Sequence, residues 1–261
     1  MTAAHKPREW SPRVWEGSDF FAWLHLLARG RFAVGPLHAY IAAAATASTF
    51  THTLLGWWQH HRYGRDLART NVEPPLFVLG HWRSGTTLLH ELLILDPRFA
   101  SPSTLHCFLP KHFLLSEGVF RDRLGFLLPE KRPMDNMAMG WDRPQEDEFA
   151  LALLGQPSPY TDLAFPNRMP IDPGSLDLSG LTPRQLAGWK RTFRRFLQAV
   201  QFRLPGRRLV LKSPPHTARV PVLLELFPGA KFVHLSRDPY VLFLPTVQLW
   251  RPLAAKHGLH T

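Results

Sequence analysis

Apolar and polar residues follow two distinct patterns along this chain. Short, largely apolar runs predict buried strands at residues 76–79, 209–212 and 231–235. Segments with apolar residues at helical spacing predict helices at residues 86–95, 145–154, 182–202 and 216–227, with a last helix from about Pro239. Because strands and helices alternate at this spacing, we expect an α/β fold whose parallel sheet has right-handed crossovers.

The first 70 residues have a purely helical pattern. One helix is expected after the capping residue Asp19, and a longer one over residues 37–69. Two successive prolines at residues 74–75 cannot continue a helix, so they separate this region from the first strand. The predicted organisation is an N-terminal helical arm, residues 1–70, followed by an α/β domain, residues 71–261.

Composition supports a packed protein. The chain has 261 residues, of which 45% are hydrophobic and 12% aromatic, and this content excludes intrinsic disorder. Cys107 is the single cysteine, which excludes an internal disulfide framework and a multi-thiolate zinc site. Nothing therefore calls for an oxidising compartment, and the N-terminus lacks the pattern of a secretory signal. We expect a cytoplasmic location.

The chain is strongly basic, with a formal net charge of +11. Such a surplus usually meets phosphate, nucleic acid or an anionic membrane, although a generally basic surface is also compatible with it. The most apolar stretch, residues 32–58, is interrupted by too many polar residues to predict a membrane-spanning helix. We favour a plain packed helix that buries Trp57 and Trp58. The alternative is an amphipathic helix whose tryptophans and following basic run, residues 60–65, make peripheral contact with a membrane.

The sharpest motif is the loop Gly80-His81-Trp82-Arg83-Ser84-Gly85-Thr86-Thr87, which lies between a predicted strand and a predicted helix. Its glycines have the spacing of a phosphate-binding loop, and the free N–H groups at a helix start favour an anion. The residue after the second glycine is Thr86 and not lysine, while a cation stands inside the loop as Arg83. This departure argues against an ordinary ATPase or kinase. The plainer alternative is a glycine-rich turn that only joins strand and helix.

Three segments in order carry a resemblance to a known family. PLFVLGHWRSGTTLLHELL contains the loop, RPQEDEFALALLGQPSPY covers residues 143–160, and RLVLKSPPHTARVPVLLELFPGAKFVHLSRDP covers residues 208–239. Together they resemble the PAPS-dependent sulfotransferases, especially the bacterial branch whose loop reads R-S-G-T-T. The resemblance implies a three-layer, P-loop-like fold with a central parallel sheet flanked by helices. It also implies metal-free transfer of a sulfuryl group from 3′-phosphoadenosine-5′-phosphosulfate (PAPS) to an acceptor hydroxyl or amine, with adenosine 3′,5′-bisphosphate as the product.

The resemblance also implies a set of residues that bind the donor. Arg83, Ser84, Gly85, Thr86 and Thr87 would hold the 5′-phosphosulfate, and donors placed on the leaving phosphate would stabilise the transition state. Arg237 matches the arginine of the 3′-phosphate site. The serine that family members carry eight residues later is replaced by Pro245, and Thr246 is the candidate substitute. The alternative for Arg237 is a surface arginine that is ion-paired with Asp238.

The implied catalytic residues are a cation and a base. Besides Arg83, Lys212 would stabilise the sulfuryl oxygens. Glu146, Asp147 and Glu148 are the leading candidates for the general base, of which we select Glu146 and Glu148, with His216 as a second base. The alternative for any one of these carboxylates is a solvated helix N-terminus that offsets the helix dipole.

The sequence also supports expectations about binding partners and about the length of the chain. We expect a small or lipid-like acceptor in a pocket built by residues 108–126 and 157–170, and no nucleic acid. The chain ends soon after Arg237, whereas family members normally continue, so a shortened member or a fragment is expected. Two competing functions stay open at this point: a nucleotide-dependent phosphotransferase, and a non-catalytic anion or nucleic-acid binder that uses the basic helix 182–202.

Overall fold

The structure is a computed structural model that describes residues 13–123, 140–168 and 170–259. Its centre is a parallel sheet with the strand order β2-β3-β1-β4. The strands are β1 (Leu76–Gly80), β2 (Phe99–Ala100), β3 (Arg208–Lys212) and β4 (Lys231–Leu235). This confirms the α/β prediction. The pattern missed β2, because two residues are too few to show a strand period.

Nine helices are found in the described residues. They are α1 (Phe20–Arg29), α2 (Ala39–Arg69), α3 (Thr86–Leu93), α4 (Thr104–Phe108), α5 (Phe113–Arg123), α6 (Asp147–Leu153), α7 (Pro183–Arg203), α8 (Val220–Leu226) and α9 (Pro239–His257). The prediction of one helix over residues 216–227 is wrong in detail, because a 3₁₀ turn over Pro214–Ala218 precedes α8. Pro221 explains the new start, since a residue without an N–H is favoured in the first turn of a helix.

Helices cover both faces of the sheet, as alternation along the strands requires. Phe77 and Leu211 lie in one hydrophobic cluster with Trp189 and Phe193 of α7. On the other face, Val78 packs with Val210 and with partly buried residues of α3. The sheet is therefore a middle layer, and the carboxyl ends of β1 and β3 lie at one edge, where Val78 is opposite Lys212. Ligands of open α/β sheets bind at this edge.

The N-terminal helices pack onto the rest of the chain. Trp15, Trp23 and Ile41 lie in a hydrophobic cluster that also contains Tyr160 and Phe165. The predicted boundary at residue 70 stays a prediction. No helix among the described residues combines the length and the apolar character that crossing a membrane needs.

The prediction that Trp57 and Trp58 are buried is wrong, since both are about 60% exposed. The buried face of α2 starts with Ile41, Ala45, Thr49 and Thr53 at a spacing of four. This spacing drifts around a helix of 3.6 residues per turn, and the buried positions shift to Gly56 and Gln59. The two tryptophans consequently face outward.

Candidate functional site

The glycine loop follows β1 directly and is tightly packed. Gly80 has a φ of +149°, and a Cβ placed there would meet Ser84 Oγ at 2.7 Å, the Leu235 carbonyl oxygen at 2.8 Å and Thr86 Cγ2 at 2.9 Å. Gly85 precedes α3 with a φ of +98°, and no side chain caps this helix start. Side chains are thus excluded where the backbone turns, and the first N–H groups of α3 keep the capacity to bind an anion.

Ser84 gives direct evidence that the loop suits a polar ligand. Its Oγ is buried and has no hydrogen-bond partner among the described residues. Such an orphaned group is costly unless a ligand or water satisfies it. Thr86 beside it is also buried. The loop is fixed from outside by Thr217, whose Oγ1 accepts a hydrogen bond of 2.9 Å from Gly80 N. A phosphate or phosphosulfate group fits this arrangement.

The acidic segment lies at the start of α6, and all three carboxylates are buried. The alternative of a solvated helix N-terminus is therefore wrong. Each acid pairs with a different residue at or after the end of β3. The pairs are Glu146 with Lys212 at 2.6 Å, Asp147 with His216 at 2.6 Å, and Glu148 with Arg219 at 2.5 Å.

Glu146 is connected to the glycine loop. Its Oε1 accepts a hydrogen bond from Lys212 Nζ, and its Oε2 accepts one from the Tyr160 hydroxyl. Trp82 of the loop donates from Nε1 to the same Tyr160 oxygen at 3.2 Å. Burial, with the negative charge of Glu146, raises the pKa of Tyr160 well above its usual range, so the hydroxyl keeps its proton and donates. We call Trp82, Tyr160, Glu146 and Lys212 the loop network.

Asp147 and His216 form a closed pair. Burial by itself would raise the pKa of Asp147, but the charge of His216 and the hydrogen bonds from His216 and Ser213 outweigh burial and lower it. His216 has no exposed surface, and its Nδ1 has no partner among the described residues. Since its Nε2 contacts Asp147 at 2.6 Å, the ring presents no nitrogen to solvent as a second base would need to.

Glu148 is fully occupied. Its two oxygens contact Arg219 at 2.5 and 3.1 Å, and Ser158 Oγ donates to Oε1 at 2.6 Å. The guanidinium of Arg219 lies over the Trp189 ring at 5.2 Å from its centroid. Both charged side chains have no exposed surface. This arrangement leaves Glu148 without an oxygen for an acceptor, so it fits a structural role better than that of a base.

The predicted 3′-phosphate residues lie after β4. Arg237 is exposed and donates from Nη1 to the carbonyl of Arg83 at 3.2 Å, so it reaches the glycine loop. Asp238 instead caps α9 by accepting from Tyr240 N, and none of the ion pairs between described residues joins it to Arg237. Thr246 donates to the Leu242 carbonyl at 2.7 Å within α9, a helix that continues through Pro245. Its hydroxyl is therefore engaged by its own helix.

The predicted acceptor segments are described in part. Residues 124–126 and Met169 lie outside the described residues. Phe108 packs on Phe149, which in turn contacts the Tyr160 ring at 4.8 Å between centroids. Phe149 thus connects Phe108 of the first segment to Tyr160 of the second.

Comparison with known proteins decides the family. The model of the sulfotransferase family matches residues 74–153 and 161–259, which is more than half of the chain. The chain belongs to the sulfotransferase family. Its matched regions contain the glycine loop, the three acids and the 3′-phosphate candidates.

Relatives and solved structures support the assignment. The chain is 47% identical over 253 residues to omega-hydroxy-beta-dihydromenaquinone-9 sulfotransferase Stf3 of Mycobacterium bovis and, equally, to that of Mycobacterium tuberculosis. The match takes in 97% of this chain and 65% of each relative, so the chain spans less than two thirds of their length.

Two sulfotransferase crystal structures have a similar fold. STF9 of Mycobacterium avium gives a TM-score of 0.60 at 23% identity over 85% of this chain and 57% of its own. STF1 of Mycobacterium tuberculosis gives 0.56 at 18% identity over 89% of this chain and 64% of its own. These likenesses confirm the fold that the resemblance implied.

Sequence reasoning did not identify Tyr160, Trp82 or Arg219 as parts of the site. Tyr160 closes the segment 143–160 that carried the resemblance, and a buried tyrosine hydroxyl needs a hydrogen-bond partner. This requirement could have indicated that Tyr160 belongs to a hydrogen-bond network, but it could not identify Glu146 as the partner.

Proposed function

We propose that this chain transfers a sulfuryl group from PAPS to a hydroxyl of a lipid-like acceptor. The observation that carries the proposal is the connection between the two halves of the site. The glycine loop, whose buried Ser84 hydroxyl has no partner among the described residues, is joined through Trp82 and Tyr160 to a buried carboxylate–lysine pair. This is the combination that anion binding and proton transfer require.

The loop would hold the donor. Backbone N–H groups of residues 84–87, the hydroxyls of Ser84, Thr86 and Thr87, and the Arg83 guanidinium would bind the 5′-phosphosulfate. Arg237, already in contact with the loop, would bind the 3′-phosphate, since a planar guanidinium suits phosphate. Thr246 is the weaker candidate for this site, because its hydroxyl bonds to Leu242. Bound PAPS supplies an activated sulfuryl group whose bond to the 5′-phosphate breaks as the acceptor oxygen bonds to sulfur.

Glu146 is the proposed general base. Lys212 and Tyr160 both donate to its carboxylate, and donors favour the ionised form that accepts a proton. The acceptor hydroxyl would pass its proton to Glu146 as its oxygen attacks. Lys212 would neutralise charge on the sulfuryl oxygens, because it ends the strand beside β1 and is almost fully buried, where a cation acts through little water. Glu148 and His216 are not retained as bases.

The acceptor class rests on the relatives and on the chemistry around Tyr160. The two Stf3 relatives are named for a hydroxylated menaquinone derivative, which is a lipid. In this chain, Phe108 and Phe149 line the approach to the loop network with apolar surface. A hydroxyl at the end of an apolar chain is therefore the proposed acceptor.

Thermal unfolding with adenosine 3′,5′-bisphosphate tests the donor site. At a ligand concentration near 100 times Kd, binding should add about 2.7 kcal/mol to the free energy of unfolding. Arg83→Ala and Arg237→Ala should lose most of this gain, and 5′-AMP should give little, since it lacks the 3′-phosphate. Arg191→Ala is the matched control, because Arg191 is exposed on α7 away from the loop.

Transfer from radiolabelled PAPS to a hydroxylated polyprenyl quinone tests the acceptor. Labelled lipid should form with the unaltered chain and not with Glu146→Gln. Binding of the bisphosphate without transfer would retain the donor site and reject the acceptor class. Equal stabilisation by 5′-AMP, or full retention of the gain in both arginine variants, would reject the donor site itself.

A further inference from the structure

The outward face of α2 is apolar over most of the helix. Tyr40, Phe50, Leu54, Trp57 and Trp58 are all exposed large hydrophobic side chains. Their positions fall on one side of a helix with 3.6 residues per turn, and exposed alanines at residues 43, 44 and 47 fill the spaces between them. Among the described tryptophans, these two alone are exposed. A stripe of this kind on the outside of a protein indicates an interaction surface.

Helix α1 widens this face. It runs antiparallel to α2, since Phe20 N donates to Thr53 Oγ1 and Trp23 Nε1 donates to Thr46 Oγ1. Its own outward side exposes Phe21 and Leu24. We call the exposed apolar side chains of these two packed helices the α1–α2 face, which is defined by residues 21, 24, 40, 50, 54, 57 and 58.

The charges around the α1–α2 face have one sign. No aspartate or glutamate occurs between Phe20 and Arg65. The exposed stripe of α2 continues past the tryptophans into His61, Arg62 and Arg65, and Arg31 lies in the exposed connection between the two helices. Long cationic side chains beside apolar ones can reach phosphate groups while their neighbours enter the acyl boundary.

We infer that the α1–α2 face docks this protein onto an anionic lipid bilayer, with α2 lying parallel to the membrane. Tryptophan and tyrosine favour the level of the lipid headgroups, and arginines favour anionic lipids. A second copy of the chain fits less well, because this surface would bring cations and no countercharge to the contact. An anionic bilayer provides an apolar layer for the aromatic side chains and negative charge for the arginines.

Docking here would bring the candidate site to the membrane. The buried side of α2, through Ile41 and Ala45, lies in the same hydrophobic cluster as Tyr160 of the loop network. The helix that contacts the lipid would therefore also contact the cluster that contains Tyr160. The inference does not depend on the proposed transferase activity, since it rests on α1 and α2 alone.

Vesicle flotation of the unaltered chain tests the inference. The chain should float with vesicles of phosphatidylcholine and phosphatidylglycerol, float poorly with phosphatidylcholine alone, and release as salt is raised. Trp57→Ser/Trp58→Ser should lower the partition coefficient by about tenfold or more, because it removes apolar area that enters the bilayer. Arg62→Gln/Arg65→Gln should lower it about thirtyfold, at about 1 kcal/mol for each charge.

Two matched variants control for nonspecific hydrophobic binding and for nonspecific electrostatic binding. Tyr240→Ser/Phe243→Ser removes two exposed aromatic side chains from α9, and Arg184→Gln/Arg195→Gln removes two exposed charges from α7. Both should float like the unaltered chain. Trp57→Phe/Trp58→Phe should still float but lose most of the fluorescence quenching by brominated lipid, which shows whether these two side chains enter the bilayer.

Three results would overturn the inference. The first is no flotation with anionic vesicles, and the second is an equal loss in a test variant and its matched control. The third is a dimer in light scattering that Trp57→Ser/Trp58→Ser converts to a monomer, which would make a second copy the occupant. Unchanged melting temperatures of the variants in the absence of lipid would show that each loss is due to the surface and not to unfolding.

Discussion

Two buried ion pairs connect the start of α6 to the residues at or after the end of β3, and they have different surroundings. Glu148 and Arg219 have no exposed surface, and Ser158, Trp189 and backbone carbonyls complete their contacts. Glu146 and Lys212 retain 11% and 3% exposure and connect to the glycine loop through Tyr160. Two carboxylates separated by one residue therefore differ in access: the side chain of Glu146 keeps some exposed surface, and that of Glu148 has none.

The difference shows why burial and charge do not by themselves identify a catalytic group. A buried ion pair loses hydration and repays it only when every remaining donor and acceptor is satisfied. The Glu148–Arg219 pair meets this condition within the protein. The Glu146–Lys212 pair lies at the carboxyl end of β3 and is connected through Tyr160 to Trp82 of the glycine loop, where Ser84 Oγ lacks a partner among the described residues. Predictions that separate the two pairs therefore compare stability with activity.

The largest expected effect is on stability. Arg219→Met should lower the free energy of unfolding by about 3 to 5 kcal/mol, because it leaves Glu148 buried without its cation. Urea unfolding measures this. Arg219→Met/Glu148→Leu should recover part of the loss, and Arg98→Met, which removes an exposed ion pair with Asp96, should change stability little. A loss below about 1 kcal/mol in Arg219→Met would contradict the structural role.

The next effect is on the reaction. Lys212→Met should lower the rate of sulfuryl transfer by about 10²- to 10³-fold, as loss of a preorganised charge does at other sites. The cost in stability should be smaller than that of Arg219→Met, since Tyr160 still donates to Glu146. Single-turnover transfer and urea unfolding of the same variant measure both quantities. An unchanged transfer rate with a large loss of stability would make both pairs structural.

Sequence alone predicted the elements that depend on local pattern. The strands of the sheet core and the glycine loop followed from short apolar runs and from glycine spacing, and both kinds of signal lie within a few residues. The structure explains why position 80 is a glycine, because a Cβ there would collide with Ser84 and Leu235. The resemblance of three ordered segments added the family, which the family match confirmed.

The partners of the three acids were beyond sequence reasoning for a physical reason. Consecutive residues at a helix start point about 100° apart, so Glu146, Asp147 and Glu148 face different surroundings. Their partners lie 66, 69 and 71 residues later in the chain. No local period reports such contacts. The expectation that Trp57 and Trp58 are buried failed for a related reason. The apolar character of tryptophan does not show which side of the helix faces the core.

A smaller effect tests how the loop network holds its base. Tyr160→Phe removes the hydroxyl that donates to Glu146 and accepts from Trp82. We expect about a tenfold lower rate of transfer and a loss of about 1 kcal/mol in stability. Single-turnover transfer and urea unfolding of Tyr160→Phe measure the two quantities. Tyr63→Phe, on the partly exposed side of α2, is the matched control.

An unchanged rate of transfer in Tyr160→Phe would mean that the hydroxyl has only a packing role. Glu146→Gln should abolish transfer, whereas Glu148→Gln should lower stability and retain transfer. This contrast between the two glutamates distinguishes a base from a structural carboxylate more directly than either rate alone.

The smallest expected effect tests the burial of His90 as a neutral ring. Burial, with the nearby charge of Lys212, lowers the pKa of His90 to about 3 from the ordinary value of 6.5. The unfolded chain therefore takes up a proton at His90 that the folded chain refuses, and the stability due to the neutral ring is full above pH 6.5 and declines as pH falls toward 3. Between pH 7 and pH 6 this residue should lower the free energy of unfolding by about 0.7 kcal/mol.

His90→Gln, which keeps a donor for the Val210 carbonyl, should remove that share of the pH dependence. Urea unfolding at the two pH values measures it, with His60→Gln on the exposed surface of α2 as the control. Equal slopes in His90→Gln and the unaltered chain would show that His90 takes up its proton at the same pH in the folded and the unfolded chain, which would contradict its burial as a neutral ring.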